Sequence, residues 1–403
     1  MNRLSVGLRF SDAALDVGLL VLEKGEVYFK YSADFLATGL DISPFHLRRT
    51  SAIQRPNTQL LDGLFGVFAD SLPDGWGRLL QDRVLASKGI DLSSITALDR
   101  LAFVGENGPG ALTYRPAQPL DNKVQRSIEL DTLAVAAQDI LAGNSNDVID
   151  QLVKLGGSSG GARPKVVVSY QPEENVLSTE TSKLPPGYEH WLIKFPATVD
   201  PLDIAQIELG YHFMAIDAGL EMMPCRLFQG RSGRSYFGTK RFDRLGDNRL
   251  HLHSIAGLLH NDFRYTNVDY GHVMDAAVRL EKDRSAAVKV LRLAAFNVFA
   301  NNRDDHNKNI SFLMDAAGQW RFAPVYDLTF AQSTHGYHSM SVAGESRSPG
   351  REDLLRLAKS FSISNANSII EEVRAAVNRW PEHADQAGLK KATAQRIAKG
   401  HKS

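Results

Sequence analysis

Cysteine is nearly absent from this chain of 403 residues, which contains only Cys225. A single cysteine cannot form an internal disulfide, so the sequence is unlike that of a disulfide-stabilised secreted domain. The first ten residues also lack the basic and apolar stretches that together mark a secretory signal peptide. These two absences lead us to expect a protein of the reducing cytoplasm.

Long hydrophobic runs and net charge are absent too. The most apolar helical window, Val290–Ala300, is interrupted by Arg292 and Asn297 and is far shorter than the ~20 residues that cross a bilayer. No membrane association is therefore expected. The 46 Lys and Arg residues balance the 46 Asp and Glu residues, so no overall field attracts nucleic acid. Contact with DNA would need a local patch or a partner.

Hydrophobic periodicity predicts a sheet followed by helices at the start of the chain. Strand patterns cover Leu4–Phe10, Val17–Glu23 and Val27–Tyr31, and helical spacing covers Leu60–Ala69 and Trp76–Ala86. Further strands and then further helices follow. We predict an α+β, protein-kinase-like two-lobe fold with an N-terminal β-rich subdomain (1–120), a small lobe with an antiparallel sheet (121–245) and an all-helical C-terminal lobe (246–403), interrupted by a hairpin around residue 315.

The stretch Asn301–Phe312 opens with nine consecutive polar residues, Asn301–Asn309, between an apolar helical pattern and a short β-like segment. Within it, Asp304 and Asn309 have the D-x-x-x-x-N spacing of a phosphotransferase catalytic loop, in which the Asp orients the attacking hydroxyl and the Asn holds a metal. Asp327 follows the hairpin, where a kinase places its second metal-binding Asp. The spacing alone is a weak signal, because Asx residues commonly cap helix ends and solvate turns.

A second candidate loop is the glycine-rich segment Leu155–Lys165, which leads into the strand Val166–Tyr170. It is not a phosphate loop of the Walker A type, since Lys165 is followed by valine and by a strand rather than a helix. It fits a loop that covers a nucleotide in the small lobe of a kinase. Another glycine-rich turn, at residues 104–110, has no helix after it and is expected to be structural.

Lys194 and Glu208 are predicted to form a buried ion pair. Strand alternation places Lys194 on the face opposite Trp191 and Ile193. Glu208 lies on the inward stripe of the predicted helix 203–219, where a carboxylate requires a cationic partner. Four histidines lack neighbours at metal-site spacing and are expected at the surface: His251, His253, His260 and His272.

Together, several motifs in the same order along the chain resemble the HipA family of toxin kinases. They are Ser71–Leu80 (SLPDGWGRLL), Leu155–Lys165, Trp191–Pro196 (WLIKFP), Arg241–Arg244 (RFDR), Asn302–Phe312 and Ala323–Leu328. The resemblance covers nearly the whole chain, and the string D-D-H-x-K-N-x-S-F is its most specific marker.

The resemblance implies an ATP-dependent serine/threonine protein kinase that uses Mg²⁺. Asp304 would orient or deprotonate the substrate hydroxyl, while Asn309 and Asp327 would hold the metal. Lys194 would contact the α- and β-phosphates. His306 and Lys308 would contact the γ-phosphate or brace the catalytic loop. The glycine-rich loop, including Gly160, would also contact the nucleotide, as would Phe242 and Asp243 in the connector between the two lobes. Lys240 stands where many relatives have an acidic residue, so adenine contacts here are expected to differ.

Regulation and partners are also implied by the resemblance. Ser158, or the adjacent Ser159, would be autophosphorylated with loss of activity. A helix-turn-helix antitoxin of the HipB type would neutralise the toxin and bring operator DNA. The protein substrate would be a translation component such as an aminoacyl-tRNA synthetase.

Three other classes of protein stay open at this point. A non-catalytic nucleotide-binding corepressor would share the fold but could lose any of the four core residues Lys194, Asp304, Asn309 and Asp327, all of which are present. A small-molecule kinase would share the D-x-x-x-x-N spacing. A metal-dependent phosphoesterase could use Asp304, His306 and Asp327 but would need further histidine ligands, and His335 and His338 lie in a Ser/Gly-rich loop.

Overall fold

The computed structural model describes residues 1–57, 59–118, 128–144, 148–157, 160–265, 267–332 and 336–402. The chain opens with an antiparallel sheet in the order β3-β2-β1-β4. Its strands are β1 (Arg3–Arg9), β2 (Ala14–Glu23), β3 (Glu26–Tyr31) and β4 (Leu112–Arg115). Alternate residues of β1 are fully buried, as in any strand with one face on a core. The sheet predicted for the start of the chain is confirmed.

Four α-helices lie between β3 and β4 in the sequence: α1 (Ala33–Thr38), α2 (Gly66–Ala69), α3 (Gly75–Ser87) and α4 (Ala97–Val104). The prediction of one helix over residues 60–69 is wrong. Leu61, Asp62 and Gly63 have φ values of 59°, 55° and 71°, which turn the backbone in a left-handed sense that a right-handed helix excludes. Only the short α2 follows this turn, whereas α3 matches the helix predicted at 76–86.

The small lobe is a five-stranded antiparallel sheet in the order β6-β5-β7-β9-β8. Its strands are β5 (Lys165–Gln171), β6 (Val176–Ser178), β7 (Glu189–Lys194), β8 (Cys225–Gln229) and β9 (Ser235–Lys240). Helices α3, α5 (Leu130–Leu141) and α6 (Ile149–Gly156) share one apolar cluster with this sheet. Helix α3 therefore comes from the first quarter of the sequence but packs on the small lobe.

The two faces of β7 have different environments. Trp191 and Ile193 are buried in the apolar cluster that includes α3. Lys194 lies on the other side, against α7 (Ile204–Asp217), the helix that packs over β8 and β9. The alternation predicted for this strand is confirmed.

The rest of the chain is a mainly helical lobe built around α10 (Ala286–Phe299), of which 11 residues are buried. A helix buried on nearly all sides is the centre of its lobe. Around it lie α8 (Ile255–Leu258), α9 (Tyr270–Glu281), α11 (Arg351–Ser360), α12 (Ala366–Asn378), α13 (Trp380–Gln386) and α14 (Lys391–Ala398). None of the described helices is long and apolar enough to span a membrane.

This lobe also contains strands, of which only the hairpin was predicted. The connector forms the two-stranded pair β10 (Arg244–Leu245) and β11 (Asn248–Arg249), and a three-stranded sheet consists of β12 (His251–Ser254), β13 (Ser311–Met314) and β14 (Trp320–Phe322). Strand β12 pairs with β13, so it extends the predicted hairpin by one strand.

The histidines of β12 are not at the surface. His251 and His253 are 0% exposed and His260 is 9% exposed, so the surface prediction is wrong for all three and holds only for His272. The reason is that β12 lies beneath the N-terminal unit. The His251 ring bonds the Ile42 carbonyl at 2.9 Å, and His253 Nδ1 lies 2.7 Å from Asp70 Oδ2.

The N-terminal unit and the helical lobe approach each other backbone to backbone. A methyl group on Gly66 of α2 would overlap the Gly257 carbonyl of α8. Next to this contact, Asp70 accepts hydrogen bonds from the amide of Ser254 at 2.7 Å and from its hydroxyl at 2.5 Å. Because the buried Asp70 carboxylate bonds an amide, a hydroxyl and an imidazole of the helical lobe, it fixes the N-terminal unit in one position on that lobe.

The glycine-rich turn at residues 104–110 is structural, as predicted. Arg244 of the connector donates to the carbonyls of Gly108 and Gly110, both at 2.9 Å, and Asp243 accepts from the Gly110 amide at 2.7 Å. The turn thus joins the N-terminal unit to the connector between the two lobes.

Candidate active site

Lys194 is the centre of a buried ion cluster that joins the small lobe to the helical lobe. Its ammonium lies 2.5 Å from Glu208 Oε2 on α7 and 2.5 Å from Asp327 Oδ1, which follows β14. Strand β7 therefore presents the lysine, α7 holds it from one side, and the segment after β14 brings a second carboxylate from the other side. The expected Lys194–Glu208 ion pair is present, and Asp327 joins it.

The charges in this cluster stabilise one another. Burial alone would disfavour each ionised group, but Asp327 and Glu208 raise the pKa of Lys194 well above its ordinary value. Burial likewise opposes ionisation of Asp327, while Lys194 and Lys165 hold the pKa of its carboxyl far below the usual range. Lys194 and Asp327 are thus both charged at neutral pH, and Asp327 offers a carboxylate to a cation.

Arg163 extends the cluster into the glycine-rich loop. Its guanidinium lies 3.2 Å from Glu208 Oε1 and 3.0 Å from Asp200 Oδ1. Lys165 donates to the Gly160 carbonyl at 2.5 Å, and burial lowers the pKa of this lysine. The end of the loop is therefore anchored to α7 and to its own strand. Ser158 and Ser159 lie outside the described residues.

The loop Asn301–Asn309, the candidate catalytic loop, places Asp304 in the open. The side chain of Asp304 is 62% exposed, and its Oδ1 lies 3.8 Å from His306 Nε2. Asn309 ends a 3₁₀ turn over Asn307–Asn309 and donates to the Asp304 carbonyl at 3.2 Å. Desolvation in the cleft and the charge of Asp327 raise the pKa of Asp304, and His306 opposes them; solvent screens most of this effect at so exposed a carboxyl.

The neighbouring Asp305 points in the opposite direction, into the lobe. Its carboxylate accepts from the Tyr270 hydroxyl at 3.0 Å and the Ser339 amide at 2.8 Å, and it lies 3.1 Å from His338 Nδ1. Asn307 is buried as well and donates to the Asn261 side chain at 2.9 Å. Asp305 and Asn307 therefore do not solvate an exposed turn. Their buried hydrogen bonds fix the loop in the conformation that leaves the Asp304 side chain exposed and places Asn309 beside it.

This arrangement also bears on the phosphoesterase alternative. His338 is buried against Asp305, away from solvent, and His335 lies outside the described residues. Within the part of the chain that the structure describes, no group of three or more His, Cys, Asp or Glu side chains could hold a metal. A histidine-rich hydrolytic metal centre is not formed by these residues.

The connector meets the segment that carries Asp327 through an aromatic contact. The rings of Phe242 and Tyr326 lie 5.2 Å apart, and the Tyr326 hydroxyl donates to the Lys308 carbonyl at 2.8 Å. Tyr326 directly precedes Asp327, which has a φ of 59°, an uncommon conformation for a residue other than glycine. Asp243, by contrast, uses its carboxylate for Arg241, Arg244 and the Gly110 amide, so its side chain ties the connector to the N-terminal unit.

Sequence reasoning missed one residue of this site, Asp74, in the segment before α3. Its carboxylate accepts a hydrogen bond from the Gly161 amide and forms an ion pair with Lys308. Asp74 lies within the family-like motif Ser71–Leu80, but the sequence assigned it no role of its own. Its distance along the sequence from both loops, 87 and 234 residues, explains why no local pattern predicted this contact.

The oxygen ligands at the cleft suit Mg²⁺. Asp327 supplies a carboxylate and Asn309 an amide group, and Mg²⁺ in phosphoryl-transfer sites is commonly held by one or two protein oxygens together with phosphates and water. A site with two protein ligands is consistent with the absence of a larger His, Cys, Asp and Glu cluster among the described residues. The residues present therefore fit this metal.

Solved structures similar to this one include a toxin–antitoxin complex with DNA. The match is to "Shewanella oneidensis MR-1 Toxin Antitoxin System HipA, HipB and its operator DNA complex", with a TM-score of 0.69 and 17% identity over 98% of this chain and 94% of that chain. The Helicobacter pylori proinflammatory kinase CtkA matches 52% of this chain and 92% of its own, with a TM-score of 0.34 and 12% identity. The first match shows the predicted α+β fold.

Family comparisons cover both parts of the chain. No curated protein sequence matches it. Residues 13–115 match the family described as "HipA N-terminal domain", and residues 157–380 match the family described as "HipA-like C-terminal domain". The second match alone covers more than half of the chain and includes the glycine-rich loop, Lys194, the catalytic loop and Asp327. The chain belongs to the HipA family.

Proposed function

We propose that this chain is a HipA-type toxin kinase of the cytoplasm, which transfers the γ-phosphate of ATP to a serine or threonine of a protein substrate. The observation that carries the proposal is the position of Lys194 between Glu208 and Asp327, at 2.5 Å from each, with the exposed Asp304 on the adjoining loop. A lysine paired with a helix carboxylate and an Asp after the catalytic loop are the parts that a protein kinase requires.

The residues then have defined roles. Asp304 accepts the proton of the substrate hydroxyl as its oxygen attacks the γ-phosphorus, and the bond from that phosphorus to the bridging oxygen of ADP breaks. Lys194 binds the α- and β-phosphates, and Lys308 and His306 bind the γ-phosphate. The loop at Gly160 covers the phosphates. Such a reaction depends mainly on positioning and on neutralised charge.

Mg²⁺, held by Asn309 and Asp327, would neutralise the phosphate oxygens. Adenine would lie against the connector near Phe242, whose ring borders the segment that carries Asp327. Because Lys240 forms an ion pair with Glu189 at 2.6 Å, its ammonium is already engaged within the small lobe. This pairing supports an adenine site that differs from those with an acidic residue at this position.

Autophosphorylation of Ser158 or Ser159 would inactivate the kinase, because a second dianion in this loop repels the phosphates of ATP. Neutralisation by a helix-turn-helix antitoxin is supported by the similar fold of the Shewanella HipA, which was solved with HipB and operator DNA. The balanced charge of this chain fits a protein that reaches DNA through such a partner. An aminoacyl-tRNA synthetase is the proposed substrate class.

The test is phosphate transfer from labelled ATP by purified wild type, Asp304→Asn and Asp327→Asn. We expect transfer by the wild type and a loss of about 10²-fold or more in each variant. Asp275→Asn serves as a control, because Asp275 forms only an exposed pair with Arg279 on α9. Equal transfer by all four proteins would refute the mechanism, and ATP binding without any transfer would favour the non-catalytic corepressor.

A further inference from the structure

Asp74 occupies the N-cap position of α3, directly before Gly75, but its side chain does not cap that helix. An Asp at this position ordinarily accepts a hydrogen bond from an amide of the first turn, but the Asp74 side chain makes no such bond. Instead, Oδ1 accepts from the amide of Gly161, and Oδ2 binds the ammonium of Lys308. The two oxygens of one carboxylate therefore join the glycine-rich loop to the catalytic loop.

The charge on Asp74 is secured by these two partners. Its side chain is only 12% exposed, and this burial alone would favour the neutral acid. The ammonium of Lys308 and the Gly161 amide outweigh that effect and hold the pKa of Asp74 below its ordinary value. Because the pKa of Asp74 lies below its ordinary value, the carboxylate is ionised at neutral pH and the link to both loops is present there. Loss of these partners would leave an uncompensated buried charge, which is strongly destabilising.

The backbone around Asp74 is fitted to the same loop. Trp76 donates its amide to the Gly161 carbonyl at 2.9 Å and its indole N–H to the Lys165 carbonyl at 3.0 Å. Gly75 has a φ of 40°, and a side chain there would collide with the Gly161 carbonyl. The amide and the carbonyl of Gly161 are therefore both held, by Asp74 and by Trp76 at the start of α3.

We propose that Asp74 is a positioning residue for phosphoryl transfer: it fixes the glycine-rich loop above the catalytic loop and orients Lys308 toward the γ-phosphate. This inference rests on the proposed kinase activity and adds to it a residue from the N-terminal unit. Displacement of a phosphate-binding group by about 1 Å can lower a rate by roughly 10²-fold. The carboxylate is suited to prevent such displacement because it bonds both loops at once.

The decisive variant is Asp74→Asn, which keeps the shape and an oxygen for the Gly161 amide but removes the charge that holds Lys308. We expect kcat to fall about 10- to 100-fold while KM for ATP stays within about 3-fold, since the loss falls on the transition state. Asp99→Asn is the matched control. Asp99 is also a largely buried carboxylate of the N-terminal unit, paired with the Met1 ammonium at 2.6 Å, and this variant should keep the wild-type kcat.

A double-mutant cycle with Lys308→Met separates positioning from general destabilisation. If Asp74 acts through Lys308, Asp74→Asn should change kcat by less than about 3-fold in the Lys308→Met background. Hydrogen exchange of the Gly161 amide should also be faster in Asp74→Ala than in the wild type. This readout needs no activity, and Asp74→Glu, which keeps the charge, should restore part of kcat.

The outcomes distinguish this inference from the proposed function. A wild type without transfer activity would overturn both. If the wild type is active, three results would overturn the role of Asp74 alone. The first is an unchanged kcat in Asp74→Asn, and the second is a loss of kcat from Asp74→Asn that stays as large in the Lys308→Met background. The third is an unchanged rate of hydrogen exchange at the Gly161 amide in Asp74→Ala.

Discussion

The ammonium of Lys194 and the carboxylate of Glu208 lie 2.5 Å apart, with side chains 9% and 4% exposed. Removal of one partner from a buried ion pair leaves an uncompensated charge, which typically costs about 3–5 kcal/mol. The pair therefore fixes the position of α7 relative to β7. It also holds the lysine where Asp327, from the other lobe, can reach it.

Glu208→Gln tests this arrangement. We expect kcat/KM for ATP to fall about 10- to 100-fold, because Lys194 then pairs with Asp327 alone and is drawn away from the phosphates. The free energy of unfolding should fall by about 3 kcal/mol, measured by urea denaturation. The control is Glu382→Gln on α13, since the pair of Arg379 with Glu382 is 53% and 66% exposed and is worth about 1 kcal/mol or less. Similar losses in the two variants would contradict the assignment.

Asp305→Asn should loosen the segment after residue 335. The variant replaces the carboxylate that binds Tyr270, His338 and the Ser339 amide, and loss of a buried, charged acceptor typically costs about 1–3 kcal/mol. We expect faster hydrogen exchange at residues 336–341 and a lower midpoint of urea unfolding. Asp262→Asn removes a carboxylate bound by the exposed Arg264 and should leave both measurements close to wild type. Unaltered exchange at 336–341 in Asp305→Asn would show that the carboxylate does not hold this segment.

His251 should make the protein less stable in acid. Burial and the nearby His253 lower the pKa of His251 to about 3, whereas an unfolded histidine titrates near 6.5. Between these values the unfolded chain binds a proton and the native state does not, so the free energy of unfolding decreases as pH falls from about 6.5 toward 3. At pH 4 the decrease from this residue is on the order of 3 kcal/mol.

His251→Gln checks this pH dependence. Glutamine can still donate to the Ile42 carbonyl but cannot take up a proton, so the fall in stability between pH 6.5 and pH 4 should be shallower. Urea denaturation at several pH values measures the slope. His272→Gln, at an exposed position of α9, should keep the wild-type slope. If the His251 and His272 variants have the same slope, His251 does not contribute to acid sensitivity.

Autophosphorylation in the glycine-rich loop is expected to abolish ATP binding. After incubation with Mg²⁺ and ATP, mass spectrometry should find phosphate on Ser158 or Ser159, and the modified protein should bind ATP at least about 10-fold more weakly because the added dianion repels the nucleotide phosphates. The Ser158→Ala/Ser159→Ala variant should stay active through the same incubation. Unchanged ATP affinity of the phosphorylated protein would exclude this switch.

Local patterns were sufficient for most of the fold. The alternation of β7 located Lys194, the helical stripe of α7 located Glu208, and the spacing from Asp304 to Asn309 led us to a loop that lies beside Asp327. These features depend on neighbours in sequence, where the periods of strands and helices apply directly. The helix predicted at 60–69 failed because the left-handed turn at Leu61 and Asp62 is occupied by residues that rarely adopt it.

The contacts between units could not be predicted in this way. Asp74 contacts Lys308 across 234 residues of sequence, and His251 and His253 are buried only because the N-terminal unit covers β12. Neither a period nor a spacing encodes such contacts, since they depend on how separately patterned segments pack. The same holds for the hydrogen bond from Asn302 of the loop to Asn297 of α10. It could not be predicted without knowing that the loop packs on this helix.

The packing of α3 on the small lobe has a consequence for synthesis of the chain. Trp76 is fully buried in a cluster with Val166 and Trp191, residues that leave the ribosome long after it does. At about 5–20 residues per second, roughly 5–25 s separate the synthesis of the tryptophan from that of its partners. During that interval the small-lobe residues that cover the apolar side of α3 do not yet exist, so we expect the nascent chain to expose this surface until the small lobe is made.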